Sequence, residues 1–158
     1  MADANIHAGH FLEMIGFSNN TKCIRYINMY TDFHNILIID WSMLMWTINY
    51  RRKKLIIEFI RKGVDVNHKS QYGASALTAA CVYDDYEDIV IMLIKAGAYF
   101  VDIIDTHIYK HEKTKRYIRE MYRQHIILVI NSGDNAIAGS FKKTYVSGII
   151  DMISEFII

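Results

Sequence analysis

Apolar residues recur at helical spacing in two stretches of the chain, and each stretch stops at a glycine. Ile56, Phe59 and Ile60 lead into Arg61-Lys62-Gly63, and 34 residues further on Val90, Leu93 and Ile94 lead into Lys95-Ala96-Gly97. A spacing of three and four predicts an amphipathic helix in both places. A helix that closes in a left-handed residue needs glycine there, and a basic residue in its last turn meets the negative end of the helix dipole. Upstream of each lies a shorter stretch, Ser42–Tyr50 and Ser75–Tyr83, whose leading serine is suited to accept an orphan backbone N–H. Each unit therefore reads as turn, helix, helix, glycine.

The pattern weakens outward. A step of 33 residues back from the second unit sets Phe11 opposite Leu44, Ile15 opposite Ile48, Cys23, Tyr26 and Ile27 opposite Ile56, Phe59 and Ile60, and Asp32 opposite Asp65. A first unit is expected there. Forward, Val129 to Asp134 imitates the end of a unit, and Asp105 falls about where a turn aspartate belongs. Beyond Gly133, the apolar positions Tyr145, Ile149, Ile150, Ile153, Phe156 and Ile157 predict an amphipathic helix, taken as a C-terminal cap. Its polar face is not strongly basic, so a cap is preferred to a membrane-surface helix.

These residues resemble the ankyrin repeat, which runs Gly-x-Thr-Pro-Leu-His-x-Ala-Ala, then a loop, then Ile-Val-x-x-Leu-Leu-x-x-Gly-Ala-Asp-Val-Asn. Gly73, Ser75, Ala76, Leu77, Thr78, Ala79 and Ala80 fall on its first half, with Ile89, Val90, Leu93, Ile94, Gly97 and Ala98 on its second. Ser42, Leu44, Leu55, Ile56, Phe59, Ile60, Gly63, Asp65, Val66 and Asn67 match in the unit before. One extra residue sits within Asp84-Asp85-Tyr86. The proline and histidine of the pattern are absent, since Ser42-Met43-Leu44-Met45 and Ser75-Ala76-Leu77-Thr78 stand in their place. The resemblance implies an all-α solenoid of about four helix-turn-helix units, near 7–36, 37–69, 70–104 and 105–134, with the cap at 135–158, all in a single domain. The isoleucine-rich style also resembles divergent ankyrin proteins of large DNA viruses, poxviruses above all.

Composition narrows the possible functions. With 158 residues, 52% of them hydrophobic and 22% charged, the chain can bury a core without staples. A net charge of +1 argues against a general nucleic-acid binder, which needs many cations to neutralise phosphates. Cys23 and Cys81 are far apart and in no metal-ligand pair, so reduced core thiols are expected. The first residues lack a basic start and apolar stretch, and the longest apolar runs are too short or too charged to span a bilayer. A cytoplasmic protein is the expectation, with the nucleus as the second location open to a chain of this mass.

Candidate chemistry is sparse. His107 and His111 would share a helical face beside Glu112, but zinc needs a third converging ligand and none declares itself. His7 and His10 are weaker candidates still. Ser132 to Gly139 sits where a phosphate loop would lie, but its glycine spacing is wrong and no Lys-Ser or Lys-Thr follows. Arg51-Arg52-Lys53-Lys54 is an import signal, a contact for acidic groups or simply a solvated turn, the last being preferred. Lys110 to Arg123 is read as a charged outer helix ahead of an RNA contact. No catalytic residue, cofactor or metal is assigned, and an enzyme is not expected.

In ankyrin folds the turn tips and the exposed side of the inner helices form a concave surface that binds partners. Through the matching positions, the resemblance implies Trp41, Asn49, Tyr50, Lys69, Gln71, Tyr72, Val82 and Tyr83 as partner-binding residues, with Ile38, Ile39 and Ala74 among the other variable positions. Trp and Tyr dominate binding hot spots, and an exposed aromatic stripe is hard to explain by packing alone. The competing reading buries Trp41 and Tyr50 as core. The expected function is a non-enzymatic adaptor, monomeric, whose concave face captures a host signalling, immune or degradation protein. The alternative is a self-associating ankyrin module that pairs this face with a second copy.

Overall fold

A computed structural model describes residues 2–101, 107, 108 and 110–131. The chain divides into two compact units, Met1–Ile103 and Ile104–Ile158. Asp105, the loop 132–139 and the expected cap at 135–158 lie outside the described residues.

The first unit is mostly helical. In chain order it holds α1 (Ala2–Phe17), α2 (Asn20–Met29), a hairpin of β1 (Leu37–Ile38) and β2 (Trp41–Ser42), α3 (Met43–Asn49), α4 (Lys53–Arg61), α5 (Ala76–Cys81) and α6 (Glu87–Lys95). The helices form three successive pairs. Within a pair, α1 packs on α2, α3 on α4 and α5 on α6; between pairs, α1 meets α3 and α3 meets α5, while α2 meets α4 and α4 meets α6.

Local chemistry explains why the helices start and stop there. The Ser42 hydroxyl accepts from the Met45 N–H, and that of Ser75 accepts from the Thr78 N–H while the Thr78 side chain returns a bond to the Ser75 backbone. Each bond satisfies one of the donors that a helix start leaves orphaned. At the other ends Gly63 and Gly97 have φ of 71° and 92°, a region that costs glycine little and other residues more. Gly63 N–H bonds the Ile60 carbonyl and Val64 N–H that of Phe59; Gly97 and Ala98 repeat this with Ile94 and Leu93. Both α4 and α6 thus close in a Schellman motif.

The apolar faces meet in one core. Phe11, Ile15, Cys23 and Ile27 of the first pair are buried, as are Leu44, Ile48, Ile56 and Phe59 of the second and Leu77, Val90 and Leu93 of the third. The Phe11 ring lies 5.1 Å from that of Phe33 and 5.3 Å from that of Phe59. An all-α expectation omits the hairpin, in which Leu37 pairs with Ser42 and Ile38 with Trp41 around Ile39 and Asp40, both at positive φ.

The second unit contributes α7 (Glu112–Asn131), with Thr114 and Ile118 buried. The helix runs unbroken for 20 residues, whereas a helix-turn-helix unit was expected across this stretch. No glycine or proline interrupts 112–131, and Glu112 pairs with Lys115 and Glu120 with Arg123, spacings that favour one helix.

Candidate functional site: helix ends and turn tips

The hairpin tip is held in an unusual backbone. Ile39 has a φ of 49°, rare for a β-branched side chain, and is 82% exposed. Its neighbours fix it there. The Trp46 indole N–H donates to the Ile38 carbonyl at 3.1 Å, and the Trp41 ring leans on that of Trp46 at 5.1 Å. Asp40 is gripped by the next tip: its carboxylate accepts from the Gln71 N–H at 2.5 Å, and its carbonyl lies 2.9 Å from His68 Nε2. That second tip turns at Gly73, with φ 78°, and closes in a bridge between Lys69 and Ser75. Through Asp40, His68 and Gln71 tie the second tip to the first across 28 and 31 residues of sequence.

The eight residues singled out from sequence divide by exposure. Tyr72 at the second tip is 88% exposed, Val82 66% and Tyr50 42%, and Asn49, Lys69 and Gln71 are exposed as well. Trp41 is half-buried against Trp46. Tyr83 is half-buried too, 4.9 Å beneath the Arg51 guanidinium and 5.1 Å from the Tyr86 ring. The Lys69 ammonium stands 5.9 Å from the Tyr99 ring.

The basic run Arg51–Lys54 joins helix pairs to one another. Arg52 reaches back to the end of α1, donating to the carbonyls of Ile15 and Ser18 and to Asn20 Oδ1, the last two at 2.7 and 3.0 Å. These carbonyls belong to a helix end that lacks intrahelical partners. Arg51 reaches forward to the Asp85 carboxylate at 2.7 Å, and Lys53 bonds the Asp85 carbonyl while its ammonium lies 4.8 Å from the Tyr86 ring. Sequence patterning offered import signal, acidic contact or solvated turn, and none of these includes the bonds that three of the four residues make.

Several exposed apolar residues escaped sequence reasoning, Ile6, Met29 and Tyr99 among them. Phe17, the last residue of α1, is 95% exposed, and Leu37, in the first strand of the hairpin, is exposed as well. The signal for Phe17 was available, since Phe17, Tyr50 and Tyr83 are spaced by 33 residues, each at the end of the first helix of a pair. A groove of about 590 Å³ opens between Phe17 and Tyr50.

Reactive chemistry is not concentrated at these surfaces. Cys23 is buried, with its thiol pushed up by loss of solvent, which disfavours the nucleophilic thiolate. Burial likewise raises the Tyr86 phenol. His111 is buried and His107 half-buried, and among the described residues no three His, Cys, Asp or Glu side chains are grouped to hold a metal ion. No helix among the described residues is long and apolar enough to cross a membrane. No protein-family profile, curated protein or solved structure matches the chain.

Proposed function

We propose that the chain is a divergent ankyrin-type stack that acts by binding another protein through its turn tips and the ends of its inner helices, without catalysis. The observation that carries this reading is a hydrogen-bond ladder with a step of one unit. Asn35 Oδ1 accepts the Asp65 N–H at 3.0 Å, and Asn67 Oδ1 accepts the Tyr99 N–H at 2.8 Å, across 30 and 32 residues of sequence. Asn67 also donates to the Gly97 carbonyl at 3.0 Å. The Asp40 tie to Gln71 and the Arg51 tie to Asp85 span 31 and 34 residues. Such nearest-neighbour bonding is what a stack needs, because each unit has only its neighbours to satisfy its loop amides.

The exposed aromatic and apolar residues supply the binding side of the proposal. Tyr72, Tyr50, Ile39 and Phe17 offer large contact area that the fold leaves uncovered, and such side chains carry most of the energy at protein interfaces. The viral style of the sequence points to a host signalling, immune or degradation protein as the class of partner.

The test is recovery of partners from host-cell extract by the native chain and by a Tyr50→Ala, Tyr72→Ala, Tyr83→Ala variant, with folding of both checked by circular dichroism. Specific partners should be lost from the folded variant. Identical recovery by both would place the binding face elsewhere.

A further inference from the structure

Resting on that binding reading, we infer that the groove between α1 and the α3 end takes an amphipathic α-helix of the partner, with apolar anchors and one Lys or Arg directed at Glu13. One wall is a single face of α1, where Gly9, Leu12, Glu13, Gly16 and Phe17 recur at helical spacing; Ile38 and Tyr50 form the other. The groove, about 590 Å³, is an open surface depression rather than an enclosed cavity.

Three observations select the occupant. The first is charge. Glu13 is the only acidic or basic side chain lining the groove, it is exposed, and it has no ion-pair or hydrogen-bond partner among the described residues. A carboxylate at the edge of an apolar surface favours an occupant that brings a cation and penalises one that brings an acid.

The second is the lack of backbone partners. Along Gly9, Leu12 and Glu13 the α1 wall bonds its own backbone within the helix, leaving only the last-turn carbonyls of Gly16 and Phe17 without an intrahelical donor, and the Ile38 carbonyl already receives the Trp46 indole. An extended peptide buried there would leave its own N–H and C=O groups unsatisfied, whereas a helix satisfies them internally. The third is clearance. A Cβ at Gly9 would meet nothing within 4 Å, and one at Gly16 would meet only Tyr50 at 3.9 Å, so neither glycine is demanded by packing inside the chain. Glycine in a helix is unfavourable relative to alanine, and the space it leaves lets a second helix approach closely. The Ile38 wall is set in advance by its hairpin pairing and the Trp46 bond, which lowers the ordering cost of binding.

The experiment is selection of random peptides about 16 residues long, roughly four helical turns, against the intact chain. Selected binders should share apolar residues at i, i+3 or i+4 and i+7 with a Lys or Arg on the same face, and a central proline should abolish their binding. Affinity should fall about tenfold or more on E13K and on Gly16→Leu, and a peptide with its cation changed to Glu should bind E13K better than the native chain. Both variants are surface changes on α1, and unchanged thermal midpoints would separate loss of the groove from loss of the fold. Binders that are acidic or extended, that ignore both variants, or a selection that returns none, would overturn the inference. Partner recovery that still depends on Tyr72 would in that case leave the broader binding face standing.

Discussion

The basic turn Arg51–Lys54 and the apolar positions Phe17, Tyr50 and Val82 lie at the same ends of the inner helices, yet their side chains have opposite fates. Charge that reads as surface in the sequence is bonded within the chain while staying partly exposed, with Arg52 closing α1 and Arg51 and Lys53 clasping Asp85. Apolar side chains that read as core or variable positions stand in solvent. The contrast follows from supply and demand for hydrogen bonds. Helix ends present carbonyls that need donors, and a long cationic side chain one unit away is the nearest source, whereas the Phe17 ring at the same level is left almost wholly exposed.

The largest effect expected from breaking this contrast is at Arg52. Arg52→Ala removes three donors from the α1 end and should cost about 2–3 kcal/mol, read from the urea midpoint and slope. A cost below about 0.5 kcal/mol would show that the clasp contributes no more than an ordinary surface residue.

A smaller loss is expected on acidification, through His34. Its imidazole is buried against Phe33 and Phe59, with Nε2 2.9 Å from the Ile27 carbonyl. Burial holds its pKa below the ordinary 6.5, with Lys62 pushing the same way and Asp32 and the backbone bonds opposing. The unfolded chain therefore takes the proton first as pH falls. This contribution to stability is complete above about 6.5, declines as pH drops through that value, and levels off once the folded imidazole is protonated as well. Urea midpoints at about pH 7.5 and pH 5.5 should differ for the native chain, and less for His34→Gln.

Smaller again is Asp85→Ala, which loses the carboxylate partner of Arg51. Both side chains are more than half exposed, so solvent screening limits the cost to below about 1 kcal/mol, shrinking with added salt. Least of all, Lys54→Ala and Tyr72→Ala should change stability by less than about 0.5 kcal/mol in thermal melts. Tyr72→Ala should nonetheless weaken partner capture where Lys54→Ala does not, which is the sharpest form of the comparison.

How much of this could be read in advance depends on how local the cause is. The stops at Gly63 and Gly97 and the caps at Ser42 and Ser75 are set within a few residues, and periodicity locates them. The 33-residue alignment also set buried Phe11 opposite Leu44 and buried Ile15 opposite Ile48. The destinations of Arg51 and Arg52 lie 32 to 37 residues away and leave no trace in the neighbouring sequence. The hairpin at Leu37–Ser42 was hidden for a different reason: its turn uses Ile39 and Asp40 at positive φ, where glycine or asparagine would have announced it. Phe17 was overlooked because the pattern is weakest in the outermost pair, where helix ends are hardest to place.

The central claim, that three helix pairs stack with equivalent positions in register, is open to a direct distance measurement. Spin labels placed in pairs at Phe17, Tyr50 and Tyr83, on a chain whose buried Cys23 and Cys81 are replaced by alanine, report the spacing of successive pairs. Packed helices lie about 8–10 Å apart, so the account predicts a single narrow distribution near 20 Å between positions 17 and 83, about twice that of each adjacent pair. A broad distribution, or a separation beyond about 35 Å, would contradict it.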